Sequence, residues 1–233
     1  MSNSDSFIDE VTEEVRRDRL FGLMRRYGWI AVLLVVLIVG GAAWNEYQKS
    51  RERAEAEALG DAMLAAMQAD DSAARAAALD DVGAPEAAAA AVLGFLTAAE
   101  HAEAGDIDAA VARLDAVAVN GAAPEIYRQI AQFKALTLKS ASAPAAERRQ
   151  GFEAMAQPGA PLRLLAAEQL ALIEIEENAP DAAIARYQDI LNDAGTTPDL
   201  QQRALQVIVA LGGEPELDAS ATDPAAGALQ ETN

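Results

Sequence analysis

Hydrophobic residues are arranged in two ways along this chain. From Tyr27 to Trp44 they are continuous, and after Trp44 they recur every three or four positions between alanines and acids. A continuous apolar run has no polar face to turn toward water, so it is not a surface helix. At about 1.5 Å per residue, roughly 18 residues cover about 27 Å, close to the hydrocarbon thickness of a bilayer. Tyr27 and Trp29 flank one end and Trp44 and Tyr47 the other, as membrane–water interfaces favour. Residues 27–47 are therefore predicted to form one transmembrane helix with these four aromatics as interface anchors. A buried core helix is disfavoured by the all-round apolarity. A cleaved signal peptide competes through the small residues Gly41-Ala42-Ala43. The long preceding stretch, with Asp5, Asp9, Glu10, Glu13, Glu14 and Asp18, favours an uncleaved anchor, and the lack of Cys excludes a lipoprotein.

Downstream, the period is helical throughout. Asn45 to Met67 carries an apolar stripe at Leu59, Met63, Leu64 and Met67, with Arg51–Glu55 and Arg53–Glu57 at i,i+4 spacing. It reads as the membrane helix continuing outward with little break. Asp70-Asp71-Ser72 caps a short helix to Leu79, Val82-Gly83-Ala84-Pro85 breaks it, and a helix follows from Glu86 to Glu103. Further helices are predicted at Glu125 to Leu138, Ala145 to Met155 and Asp199 to Leu211. No alternating strand pattern occurs, so the fold class is all-α. Residues 212–233, rich in Ala, Gly, Pro, Thr and acids, read as a disordered acidic tail.

Residues 1–26 also show helical spacing, at Phe7, Ile8, Val11 and Val15, with Ser6 and Asp9 placed as a capping box. The segment reads as partly helical, either a bare topological flank or an amphipathic piece that touches membrane or partner.

Charge adds orientation. Arg16, Arg17, Arg19, Arg25 and Arg26 precede the span, whereas Lys49, Arg51 and Arg53 follow it. The positive-inside rule puts the N-terminus in the cytoplasm and the bulk of the chain on the far side, which in a Gram-negative inner membrane is the periplasm. The expected layout is cytoplasmic segment 1–26, span 27–47, periplasmic helical domain 48–211 and tail 212–233. A net charge of −19 repels nucleic acid and anionic head groups, so neither is expected as a partner of the domain.

One motif occurs twice. Gly105-Asp106-Ile107-Asp108-Ala109-Ala110-Val111-Ala112-Arg113-Leu114 returns loosely as Asn178-Ala179-Pro180-Asp181-Ala182-Ala183-Ile184-Ala185-Arg186-Tyr187. Residue 105 maps onto 178, 73 positions later, about two 34-residue tetratricopeptide periods plus a few residues. Ala98, Gly105, Ala110 and Leu114 match the small, turn, small and large positions of the tetratricopeptide motif, and Ala171, Ala183 and Tyr187 match in the second copy, with Asn178 for the turn glycine. These residues resemble tetratricopeptide repeats, degenerate at Gly94 and His101, where the motif has aromatics, and at Pro124, where its closing proline is displaced. The resemblance implies an α-solenoid of helical hairpins that cross closely at small residues. An Ala-rich bundle without solenoid stacking is the alternative.

The whole layout is similar to one bacterial family. The opening Ser6-Phe7-Ile8-Asp9-Glu10-Val11-Thr12-Glu13-Glu14-Val15-Arg16-Arg17-Asp18, then Tyr27-Gly28-Trp29, the span and the degenerate repeats resemble the ancillary subunits of the Sec translocon, in their alphaproteobacterial form. That resemblance implies Sec translocon subunits and periplasmic chaperones as partners in protein export. The alternative is a self-associating scaffold or spacer in a cell-envelope or cell-division complex.

Catalytic chemistry is not suggested. His101 is the sole histidine and reads as a surface or inter-helix side chain. The carboxylate groups at Asp70-Asp71, Asp80-Asp81 and Glu174-Glu176-Glu177 read as caps and solvated faces. No nucleophile elbow, phosphate loop or paired-His motif occurs. The expectation is a non-enzymatic interaction protein with no cofactor, no metal and no small-molecule substrate. Gln129, Gln132, Lys134, Glu168 and Gln169 are the candidate groove residues.

Overall fold

A computed structural model describes the backbone of residues 3–216, and side chains from Arg25 onward except Ala31 and Ala141. Every regular element among the described residues is helical. The chain forms two compact units, Met1–Asp61 and Ala62–Asn233.

Helix α1 runs Asn3–Ala66 and accounts for the first unit. It begins before Ser6, so Ser6 lies inside the helix and does not start it, contrary to the capping expected of it. The side chains of Arg16, Arg17 and Arg19 lie outside the described residues. From Trp29 to Val39 the large apolar side chains are all exposed, among them Trp29 at 64% and Leu37 at 66%. An 18-residue window of α1 has mean hydropathy 2.1 with no buried share, so this helix is long and apolar enough to cross a membrane. Beyond it Arg51 and Glu55 pair at 3.9 Å on the exposed surface.

The second unit is a series of antiparallel hairpins: α2 (Ser72–Asp80), α3 (Ala87–Glu103), α4 (Ile107–Val119), α5 (Glu125–Leu138), α6 (Ala145–Met155), α7 (Arg163–Glu176), α8 (Pro180–Leu191) and α9 (Pro198–Ala210). Local chemistry sets several starts. The Asp71 and Asp106 carboxylates accept from the amides of Ala74 and Ala109 at 2.7 and 3.1 Å, and Thr197 caps α9 through Leu200 N–H. Pro180 and Pro198 occupy first-turn positions, where a missing N–H costs nothing.

The core is a chain of small clusters. Ala98, Ala110, Leu114 and Val117 join with Ala131 and Ala135 to weld α3, α4 and α5. Ala171, Ala183, Tyr187 and Ile190 join with Leu200, Ala204 and Ile208 to weld α7, α8 and α9. Between these, Phe152 and Met155 of α6 pack with Ala166, Leu170 and Ile173 of α7, and Phe133 of α5 meets Phe152 edge-on at 5.6 Å. Helix α6 packs more extensively on α7 than on α5, so the middle hairpin is the loosest joint. A fourth cluster sets Ala66, Leu79 and Leu93 against Met63 and Met67. Each large side chain buried this way contributes about 1.5–3 kcal/mol, while the alanines contribute close approach.

Candidate functional site

Two turns set the hairpin geometry. Gly105 has φ +83 and Asn178 has φ +58, the left-handed conformation that closes a helix C-terminus. In each copy the next amide reaches back to the helix: Asp106 N–H to the His101 carbonyl and Ala179 N–H to the Glu174 carbonyl, both at 2.9 Å. Glycine adopts this conformation without a Cβ penalty, and asparagine tolerates it better than most residues. The residues at the expected crossings lie in the closely packed clusters. Ala98 is 2% exposed, Ala110, Ala171 and Ala183 are fully buried, and Leu114 and Tyr187 are each 1% exposed.

Between α3 and α5 lies an apolar cleft of about 260 Å³. Phe95, Ala98, Ala99 and Ala102 form one wall, Phe133, Lys134, Thr137 and Leu138 the other, and Leu114 the floor. Phe95 is steadied by Tyr127, edge-on at 6.2 Å. Thr137 donates its hydroxyl to the Phe133 carbonyl, which leaves its methyl group for the cleft. The exposed ammonium of Lys134 gives this apolar slot one cation, suited to a segment with an apolar anchor and a nearby carboxylate.

The sequence-predicted groove residues do not converge. Lys134 lines the cleft, but Gln132 is exposed outside its walls and Gln129 donates to Glu125 at 3.0 Å. Gln169 sits half-buried on α7 between the exposed Leu165 and Leu172. Glu168 is 9% exposed and gripped by Arg203 of α9, at 2.7 and 2.9 Å, so it joins helices and is not free for a ligand. Phe95 and Phe133 were missed. Their signal was present: α3 is apolar at 91 and 98 for α4, and also at 95, 99 and 102, more circumference than one neighbour needs.

Charged side chains are organised as inter-helix clamps. Arg75 of α2 reaches the buried Glu100 of α3 at 2.6 Å, Arg148 of α6 grips Glu176 of α7, and Arg186 of α8 grips the buried Glu174 of α7 at 3.0 Å. Arg163 holds Asp193 with two bonds of 2.6 Å. Those bonds, with the Gly195 N–H behind them, hold the Asp193 carboxyl below its ordinary range. Burial, then the nearby Glu168 charge, pushes the Tyr187 phenol up to about 12. His101 Nε2 lies 3.1 Å from Asp80 Oδ2, and Arg113 grips the same carboxylate, so the lone histidine is an inter-helix side chain.

The tetratricopeptide repeat-like domain family matches residues 24–147, more than half of the chain, and the chain belongs to that family. The match opens before the apolar run and closes in α6, so the second motif copy lies beyond it. No curated protein and no solved structure matches the chain. Domains of this kind are protein–protein interaction modules.

Proposed function

We propose that this protein is a membrane-anchored adaptor of the Sec translocon, with residues 1–26 in the cytoplasm, 27–47 as the span and 48–211 as a periplasmic repeat domain that cooperates with export chaperones. The acidic tail of that layout begins at 212, and its residues 217–233 lie outside the described residues. The observation that carries the reading is the continuity of the family match across both parts. It begins at Met24, takes in the exposed apolar helix and runs through the α3–α5 cleft, so span and cleft belong to one inherited unit. The arginines before the span support the orientation, and the sequence resemblance supports the translocon. The cleft serves as the partner-binding surface, with apolar walls for affinity and Lys134 for orientation.

Gentle-detergent purification of the full-length protein, followed by mass spectrometry, tests the reading. A form lacking residues 1–44 and exported to the periplasm runs beside it. Translocon subunits should accompany the full-length form, and chaperones should accompany both. Lys134→Glu, which reverses the exposed cation at the cleft and leaves its packing alone, should weaken the hold on the chaperones and leave the translocon contact intact. Recovery of the protein alone, or with envelope and division proteins, sinks the Sec reading and favours a self-associating scaffold.

A further inference from the structure

The duplication extends beyond the turn motif. The shift of 73 that carries Gly105 onto Asn178 also carries the end of α3 at Glu103 onto the end of α7 at Glu176. It carries the starts of α4 and α5, Ile107 and Glu125, onto those of α8 and α9, Pro180 and Pro198. Buried alanines coincide as well: Ala98, Ala110 and Ala131 fall on Ala171, Ala183 and Ala204. The space between the first and third helix of each set can therefore be compared residue by residue. In the second set it holds the Tyr187 ring, buried among Ala171 of α7 and Leu200, Ala204 and Ile208 of α9. In the first set Leu114 stands where Tyr187 does, Ala102 where Ile175 does and Ala135 where Ile208 does. Aromatic carbon has moved from the floor to the walls, since Phe95 and Phe133 take the places of Glu168 and Gln206, and the cleft of about 260 Å³ lies open between them. Its rim carries an unpaired charge. Among the described residues every lysine and arginine of the repeat unit is paired with a carboxylate except Arg128 and Lys134, and Lys134 lines this cleft.

We propose, resting on the reading of the α3–α5 cleft as the partner-binding surface, that its occupant is an aromatic side chain of the partner polypeptide. The ring takes the space where the second copy holds its own Tyr187, and a partner carboxylate meets Lys134. A ring fits because rings line both walls. Edge-to-face and offset contacts between aromatic rings are worth about two- to tenfold in affinity beyond the area buried, which an aliphatic side chain of the same size forgoes. The acid belongs within a few residues of the ring, since Lys134 follows Phe133 directly in the cleft wall. In the second copy the place of Lys134 is taken by Val207, which packs on the α7–α9 core, so that space needs neither ring nor acid from elsewhere. The second copy thus supplies the aromatic group from its own chain, and the first leaves room for one from outside.

The test titrates the full-length protein in detergent with the hexapeptide Gly-Ser-Phe-Gly-Asp-Ser, its phenylalanine fluorinated at the para position. The fluorine resonance is read by NMR, with empty micelles as the control. Saturable binding is expected with protein and not with micelles. Ala102→Ile and Leu114→Tyr import the second copy's residues, and each should weaken the peptide at least about tenfold by filling the cleft. Ala102 stands on the open wall, so its variant keeps the fold even if the floor variant does not. Lys134→Val should weaken the peptide by up to about fivefold, the worth of an exposed ion pair. In competition, the unlabelled peptide should displace the probe at a concentration about two- to tenfold below that of its cyclohexylalanine counterpart. Equal competition overturns the choice of a ring; chaperone recovery that still falls with Lys134→Glu then keeps the cleft as the partner surface. Unchanged affinity in both import variants, or no saturable binding to the wild type, overturns occupation of the cleft by a ring. Probe binding that both import variants abolish, beside chaperone recovery indifferent to Lys134→Glu, upholds the ring site and removes the chaperones as its source.

Discussion

The hairpins α3–α4 and α7–α8 are two copies of one motif with the same crossing and the same turn, yet they solve their electrostatics differently. In the second copy Glu174 and Arg186 pair across the hairpin, acid on one helix and arginine on the next. Seventy-three residues earlier those positions hold His101 and Arg113, which cannot pair with each other, and both turn to Asp80 of α2. The second copy carries its own polar bond, whereas the first borrows a carboxylate from the preceding helix. Placing an acid inside or outside the hairpin decides whether a repeat is closed electrostatically or only in company. The second hairpin also packs Tyr187 where the first has Leu114.

The most forceful way to break the comparison is to empty the two large positions. Tyr187→Ala should cost about 3–5 kcal/mol and Leu114→Ala about 2–5 kcal/mol, with the tyrosine at the upper end because it vacates more volume. Chemical denaturation read by circular dichroism orders the two, and a larger loss at Leu114 would reverse the ranking.

The polar difference is tested next. Glu174→Ala strands Arg186 beside a buried gap and should cost about 2 kcal/mol, below the usual figure for a broken buried pair because Arg186 is a third exposed. Asp80→Asn should cost about 1 kcal/mol, its partner Arg113 being 44% exposed. His101→Glu imports the second copy's acid. Alone it sets a carboxylate against Asp80 and destabilises the domain. Combined with Asp80→Asn it pairs with Arg113, so the double variant should be more stable than the sum of the two by about 1 kcal/mol. Additive losses would mean that the two copies do not share this geometry.

A pH titration sharpens the same contrast, since Leu114 has no proton to lose. The Tyr187 phenol titrates near 12 in the folded chain against about 10 when unfolded. Its contribution is therefore intact below pH 10 and is lost as pH rises toward 12. Tyr187→Phe should lose less stability across that window than the wild type, and parallel alkaline curves would rule out this origin. The smallest effect belongs to the turns. Asn178→Gly relieves a left-handed asparagine and should change stability by no more than about 1 kcal/mol, upward, whereas Gly105→Asn should move it downward. Thermal melts of both variants check the signs.

The helical hairpins were legible because alanine spacing and turn residues are local signals. Helix α5 and helix α6 carry the same limits in sequence and structure, and the caps at Asp71 and Asp106 follow from their own neighbours. The ion clamps were not legible. Glu168 read as a free groove residue because its partner Arg203 lies 35 positions away, a distance at which charge pattern carries no pairing information. The cleft was half visible: Lys134 stood out as a charge, while Phe95 and Phe133 looked like ordinary core until α3 and α5 were side by side. Gly212-Gly213-Glu214-Pro215 has the composition of loose chain, yet Gly212 and Gly213 cap α9 and the Gln188 amide meets the Glu216 main chain 28 positions away, a pairing that local pattern does not carry.

The distribution of aromatic side chains makes the protein its own spectroscopic reporter. Both tryptophans, Trp29 and Trp44, lie on the exposed apolar helix, and the repeat unit contains none. Excitation at long wavelength therefore interrogates that helix alone, and a blue-shifted emission on mixing with vesicles would signal its insertion without any label. Tyrosine emission does not separate the units in this way, because Tyr27 and Tyr47 share α1 with the tryptophans while Tyr127 and Tyr187 lie in the repeats. One unmodified sample thus reports on the apolar helix through tryptophan with no contribution from the repeats.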